Sequence, residues 1–86
     1  MPEISRFLGI IISMLYGDHN PPHFHVKYAE YKAVFDITNL KMIEGKLPNR
    51  VLSLVLEWAF IHREDLLKDW ELMEKRMPLN KIDPLE

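Results

Sequence analysis

The second half of the chain carries an uninterrupted helical pattern. Residues 51–76 contain neither glycine nor proline, and Pro48 stands where a first helical turn tolerates proline. Apolar side chains, joined by one histidine, recur at spacings of three and four, the period of one helical face: Val51, Val55, Trp58, Ala59, His62, Leu66, Trp70, Met73 and Met77. The pattern predicts one long helix over about residues 49–77, followed by a tail over residues 78–86.

Such a helix is long for a chain of 86 residues. At 1.5 Å per residue it measures roughly 40 Å, more than a small sheet can cover. We therefore expect it either to break near Arg63–Asp65 or to project beyond the sheet toward a partner. A second copy of the chain, bound through this helix, is one expected partner.

The first half of the chain has the composition of strands separated by turns. A β-branched and aromatic run predicts a strand from about Phe7 to Tyr16, with Gly9 as a bulge. Residues 23–37 alternate as a hairpin does, and residues 41–45 predict a brief further strand. The expected fold is α+β: a small antiparallel sheet of three or four strands over about residues 4–45, packed against the long C-terminal helix in a single domain, residues 1–86.

Three of the four histidines lie within a short segment around a proline-rich turn. His23 and His25 occupy positions i and i+2 of the predicted strand, so both imidazoles leave the same face, roughly 6–7 Å apart at the backbone. His19 precedes the turn that Pro21 and Pro22 stiffen. His62 lies on the inner stripe of the helix.

This histidine cluster is open to three interpretations. His19, His23 and His25 could bind a divalent metal such as zinc, with His62 as a weaker fourth ligand. His23 and His25, with His19 nearby, could instead be the catalytic acid and base that cleave a phosphodiester. In the third interpretation the rings only hydrogen-bond to backbone and water within a rigid turn. Whether the chain is an enzyme stays open at this point.

Composition narrows the classes of site and partner. The chain has no cysteine, which excludes a disulfide framework, a thiol nucleophile and a thiolate metal site. Residues 1–50 hold six basic and five acidic side chains, whereas residues 51–86 hold five and eight. This asymmetry fits an ordinary solvated surface, and it also suits a sheet that faces RNA and an acidic helix that docks elsewhere. Because the apolar runs are too short for a membrane span and no signal peptide is evident, we expect no membrane contact and a cytoplasmic location.

Several strings of the sequence together resemble one known family. They are Met1-Pro-Glu-Ile-Ser-Arg-Phe-Leu-Gly-Ile-Ile-Ile, Asp18-His-Asn-Pro-Pro-His-Phe-His-Val, Leu56-Glu-Trp-Ala with His62-Arg-Glu, Leu67 and Trp70, and Lys81-Ile-Asp-Pro-Leu. Across essentially the whole chain, the sequence resembles the small prokaryotic proteins catalogued as domain of unknown function 4160. The matching motif residues are Pro21, Pro22, His23, His25, Trp58, His62 and Trp70.

The resemblance implies a component of a small two-gene module, proposed to act as a toxin–antitoxin-like pair. Combined with the histidine cluster, it predicts RNA binding or RNA cleavage through the histidine-rich turn. Two alternatives to an RNA-directed activity remain. One is a non-enzymatic antitoxin or adaptor that binds its partner through the helix, and the other is a histidine-based metal-binding domain without catalysis.

Overall fold

Five short strands precede two helices along the chain. The computed structural model describes residues 2–85, and the predicted domain's end residues, Met1 and Glu86, lie outside the described residues. The elements are β1 (Glu3–Phe7), β2 (Ile10–Ser13), β3 (His23–Tyr28), β4 (Tyr31–Asp36), β5 (Lys41–Gly45), α1 (Asn49–Ile61) and α2 (Arg63–Glu74). All five strands form one antiparallel sheet in chain order, so the α+β class is confirmed.

The expectation of three or four strands is wrong because the first strand is in fact a hairpin. Leu8 and Gly9 have positive φ angles of 51° and 81° and connect β1 to β2. Two consecutive residues of positive φ are typical of the tight turn whose twist matches a right-handed strand pair. Gly9 therefore marks a hairpin turn and not a bulge, and β2 ends at Ser13 rather than at Tyr16.

The hairpin predicted over residues 23–37 is confirmed as β3 and β4, and the brief strand over residues 41–45 as β5. Along β3 the side chains alternate as expected. Phe24 and Val26 are buried, His23 and His25 are half-buried and Lys27 is exposed. His23 and His25 therefore share the face of the strand that does not carry Phe24 and Val26.

The prediction of a single long helix is also wrong, because His62 separates α1 from α2. The break comes one residue before the segment 63–65 where a break was expected, at φ −108° and ψ 23°. A straight helix over residues 49–74 would be about 39 Å long, whereas the longest dimension of the fold is 33 Å. Trp58 and Trp70, which lie on either side of the break, are both buried.

The second helix ends at Glu74, before the predicted residue 77. Arg76 has a positive φ of 57°. Its N–H donates to the Met73 carbonyl (3.0 Å), and the Met77 N–H donates to the Leu72 carbonyl (2.9 Å). This is the paired hydrogen bonding of a Schellman C-cap, in which the left-handed residue is usually glycine. Because arginine occupies that position here, no glycine marks the end of the helix.

The core lies between one face of the sheet and the helices. Phe24 stacks on Phe35 at 5.4 Å between ring centroids, and both Phe24 and Phe7 contact Trp58. The tail joins this core: Ile82 is buried, its N–H donates to the Ile4 carbonyl (2.8 Å), and Trp58 Nε1–H donates to the Asp83 carbonyl (2.8 Å). Within residues 2–85, neither helix is long and apolar enough to cross a membrane.

Candidate functional site

The segment between β2 and β3 is held against α2 and its C-terminal end. Trp70 Nε1–H donates to Asn20 Oδ1 (3.2 Å), and Tyr16 OH donates to the Met77 carbonyl (2.7 Å). At the other end of the segment, the Ile37 N–H donates to the Pro22 carbonyl (3.0 Å). Contacts on two sides therefore fix the turn that precedes His23.

This turn brings one carboxylate onto both strand histidines. Asp18 Oδ2 lies 3.0 Å from His23 Nε2 and 2.9 Å from His25 Nε2. One ligand atom from each of the three residues can be chosen so that all lie within 4.8 Å of one another. The side chains are 14% (His23), 25% (His25) and 23% (Asp18) exposed, so the cluster is shielded but open to solvent on one side.

The orientation of the His23 ring is fixed by its second nitrogen. His23 Nδ1 lies 2.8 Å from the Pro21 carbonyl, which can only accept a hydrogen bond, so Nδ1 carries the hydrogen. Trp70 also packs on the ring, at 5.0 Å between centroids. In the neutral tautomer that this contact selects, Nε2 presents a lone pair toward Asp18.

A lone pair that faces a carboxylate oxygen is an unfavourable contact on its own. A proton or a metal ion between the two atoms relieves it. Either His23 is a cation with hydrogens on both nitrogens, or a metal ion lies between Nε2 and the carboxylate. A ligating imidazole whose other nitrogen donates to a backbone carbonyl is the usual arrangement around protein-bound metals.

The structure brings together two of the histidines singled out in the sequence and leaves two apart. His19 is exposed and lines a surface groove with Asp18, Met73 and Glu74. His62 lies at the junction of α1 and α2, with Nδ1 3.5 Å from Asp65 Oδ2 and its ring 5.6 Å from Trp58. Neither belongs to the group formed by Asp18, His23 and His25.

Asp18 is the residue that sequence reasoning missed as a site residue. Its signal was modest: a carboxylate five positions before His23, at the start of a turn rich in glycine and proline. Spacing alone does not show that such a turn folds back onto the strand. The contacts of Asn20 and Tyr16 with α2 and the segment after it supply that information, and they link residues far apart in the chain.

A comparison with protein families identifies the family of the chain. The sequence model of a family described as a domain of unknown function, DUF4160, matches residues 9–71. The chain belongs to this family. The DUF4160 match runs from the β1–β2 turn to the third turn of α2, so it includes Asp18, His23, His25 and Trp70 but is narrower than the whole-chain resemblance. No curated protein and no solved structure matches the chain.

Proposed function

We propose that Asp18, His23 and His25 bind a divalent metal ion, with zinc as the first candidate, and that this DUF4160 protein acts on RNA through that centre. The observation that carries the proposal is the pair of contacts on His23. Pro21 holds the hydrogen on Nδ1, and Nε2 faces the carboxylate of Asp18 together with His25 Nε2. A shared ion satisfies all three ligand atoms at once.

The donor set suits such an ion. Imidazole nitrogen and carboxylate oxygen are common zinc ligands, and two histidines with one carboxylate also form the iron site of many oxygenases. Around a tetrahedral ion with bonds of about 2.1 Å, ligand atoms stand about 3.4 Å apart. The observed separations of 3.0 Å and 2.9 Å need to widen by only about 0.5 Å.

Three protein ligands favour a catalytic site over a purely structural one. Structural zinc sites are closed by four protein ligands, whereas catalytic sites keep one position for water or substrate. A metal ion in such a site lowers the pKa of a bound water and so provides a nucleophile for phosphodiester hydrolysis at neutral pH. The protein's own part is to fix the ligands: Pro21 orients His23, and the carboxylate of Asp18 balances part of the charge.

Metal binding is tested on untagged full-length protein by metal analysis and by thermal melting with and without added zinc. We expect Asp18→Asn, His23→Ala and His25→Ala to abolish bound metal and the rise in melting temperature. His19→Ala is the matched control, since it removes a neighbouring histidine outside the group of three, and should bind metal as wild type does. Equal binding by the His23→Ala/His25→Ala double variant would overturn the metal site.

Protons should compete with the metal for the same nitrogens. Imidazole binds metal only when neutral, so affinity is expected to fall as the pH drops below about 6. Melting curves of the metal-free variants, recorded at each pH, separate loss of metal from loss of fold.

The activity is tested by growth inhibition on expression and by cleavage of RNA in vitro. We expect the His23→Ala/His25→Ala variant to lose both while it stays folded. Activity that survives a chelator but not the double variant favours the second candidate, a metal-free acid–base pair, which the direct contact of His23 Nε2 with Asp18 supports when His23 is cationic. Unchanged toxicity of the variant would contradict both forms of catalysis.

The wider setting of the proposal is a toxin–antitoxin-like module in the cytoplasm. Its partner would be a small cognate protein or a second copy bound through α1 and α2. In the non-enzymatic alternative the protein is the antitoxin or adaptor, and partner binding then survives loss of the turn histidines. Co-purification of the partner with wild type and with the double variant distinguishes the two.

A further inference from the structure

The face of the sheet opposite the core carries a row of basic residues. Strand register places Arg6 opposite Ile11, Ile11 opposite Lys27, and Lys27 opposite Lys32, so the row crosses β1 to β4. Lys27 is two residues from His25 on the same strand and on the same face, about 6–7 Å away at the backbone. The basic row therefore runs beside the proposed metal centre.

Lys27 and Lys32 form an unusual pair. In an antiparallel ladder, residues directly opposite each other have Cβ atoms about 4.5–5.5 Å apart, and like charges there are destabilising. Both lysines are exposed, and within residues 2–85 neither has a carboxylate partner. Two adjacent ammonium groups without a protein counter-charge favour an external anion.

The charge of Arg6 is already compensated. Its guanidinium donates to both carboxylate oxygens of Glu3, at 2.7 Å and 3.0 Å. These hydrogen bonds hold the pKa of the Glu3 carboxyl below its usual value, so Glu3 stays ionised and paired. Glu44, opposite Val34 on β5, is the other acidic residue along the His25 row. The surplus positive charge thus lies at the two lysines.

A surface pocket joins the lysines to the histidine. It measures about 260 Å³ and is lined by Glu3, Ile11, Ser13, His25, Val26, Lys27 and Lys32. A ligand in this pocket contacts the ammonium groups on one side and His25 on the other. A positively charged groove that follows the backbone is the feature by which many proteins bind single-stranded nucleic acid.

We infer that the pocket between His25 and the Lys27–Lys32 pair binds a phosphodiester of single-stranded RNA and presents it to the Asp18, His23 and His25 centre. The inference rests on the proposed function, since it names where the substrate of that centre lies. The lysines are positioning residues: they bind the backbone of the RNA and take no part in the chemical step.

The test is equilibrium binding of a short fluorescein-labelled oligouridylate to the full-length protein at several salt concentrations. We expect Lys27→Gln and Lys32→Gln each to weaken binding and to reduce the slope of log affinity against log salt by about 0.7, and the double variant to reduce it by about 1.4. Lys68→Gln is the matched control, because it removes one exposed charge on α2 and leaves the sheet face unchanged. The probe is recovered and checked on a gel for cleavage.

Two further measurements distinguish a failure of the lysine pocket from a failure of the metal centre. The lysine variants are expected to melt no lower than wild type, because they lose a repulsive pair, and to retain their metal. Asp18→Asn is expected to lose the metal but to keep lysine-dependent RNA binding, so the pocket can stand even when the metal centre fails. An unchanged affinity in the double lysine variant would overturn the inference. So would an equal loss in Lys68→Gln, or binding of inorganic phosphate without binding of the oligouridylate.

Discussion

At the scale of single residues, the two buried aspartates, Asp36 and Asp69, have contrasting surroundings. Asp36 is 5% exposed and both of its oxygens are satisfied, by the Thr38 N–H (3.0 Å) and by Asn39 Nδ2 (2.8 Å). Asp69 is 1% exposed, and only its Oδ1 has a partner, the Asn80 N–H (2.9 Å). Among residues 2–85, its Oδ2 has no hydrogen-bond partner. Asp36 therefore stabilises a turn, whereas Asp69 is a charge that the fold tolerates.

Asp69 should make stability depend on pH in a defined direction. Burial raises the pKa of the Asp69 carboxyl, the Asn80 backbone opposes this, and the charge of Asp65 adds to it. A raised folded-state pKa means that the folded chain holds this proton more tightly than the unfolded chain does. The ionised Asp69 carboxyl therefore destabilises the fold fully at a pH above its folded-state pKa. This destabilisation disappears as the pH falls through the folded-state pKa toward the unfolded-state pKa.

Replacing Asp69 with asparagine keeps an oxygen that accepts the hydrogen bond from the Asn80 N–H and removes the titratable carboxyl group. We expect the stability of Asp69→Asn relative to wild type to be most favourable near neutral pH, and to become less so as the pH falls. Urea unfolding from about pH 7 to about pH 4 measures the difference. Glu71→Gln, an exposed charge loss on the same helix, is the control and should show no such trend. A difference independent of pH would contradict the assignment.

The residue scale also shows what the sequence predicted of the candidate site. His23 and His25 were expected on one face because a strand alternates with a period of two, and that rule depends only on neighbours in the chain. The separation of His19 from them, and the approach of Asp18, depend on how the turn packs against α2. Contacts between Asn20 and Trp70, fifty residues apart, decide that packing, and no local rule contains it.

At the scale of elements, the β1–β2 turn has an unfavourable residue in a defined conformation. Leu8 has a φ of 51° and is 61% exposed, so it takes the strained left-handed region without burying its side chain. That region costs most residues roughly 1–2 kcal/mol, and asparagine less. Asn-Gly is moreover the sequence that this class of hairpin turn prefers.

We expect Leu8→Asn to raise the free energy of unfolding by about 0.5–1 kcal/mol. For a domain of this size that corresponds to roughly 2–8 °C in melting temperature. Leu8→Val is the opposite control, because a β-branched residue fits positive φ poorly and should lower stability. If the asparagine variant melts no higher than the valine variant, the turn does not adopt this conformation in solution.

The same turn explains why one element boundary was missed and others were not. The loops at 17–22 and 38–40 carry proline or asparagine, whereas the β1–β2 turn is marked only by Gly9 within an apolar run, a signal that a bulge also gives. The helix break at His62 is not marked by glycine or proline, and a straight helix over residues 49–74 would be longer than the fold. Strand and helix types were readable from periodicity, but boundaries set by tertiary packing were not.

At the scale of the whole molecule, the two faces of the sheet have different roles. The core face of the sheet is closed by α1 and α2, and the opposite face carries His25 and the lysine pair. The tail completes the closed side, since it runs back to β1 and receives a hydrogen bond from Trp58 at the centre of the core. The proposed site thus stands on a sheet whose other face is fixed by packing rather than by a partner.

This arrangement makes the last residues of the chain part of the fold rather than an appendage. Ile82 is 6% exposed and lies in the same cluster as Trp58 and Ile4. Truncating a buried isoleucine to alanine costs about 2–5 kcal/mol, and a chain of this length has about 4–13 kcal/mol in total. We therefore expect Ile82→Ala to lose a large fraction of the stability, measured as a shift in the urea midpoint. Asp83→Ala, next to it and exposed, keeps its carbonyl for Trp58 and should change stability by less than about 0.5 kcal/mol. Equal effects of the two substitutions would mean that the tail is not packed on β1 in solution, and that the edge of the sheet beside it is open to another chain.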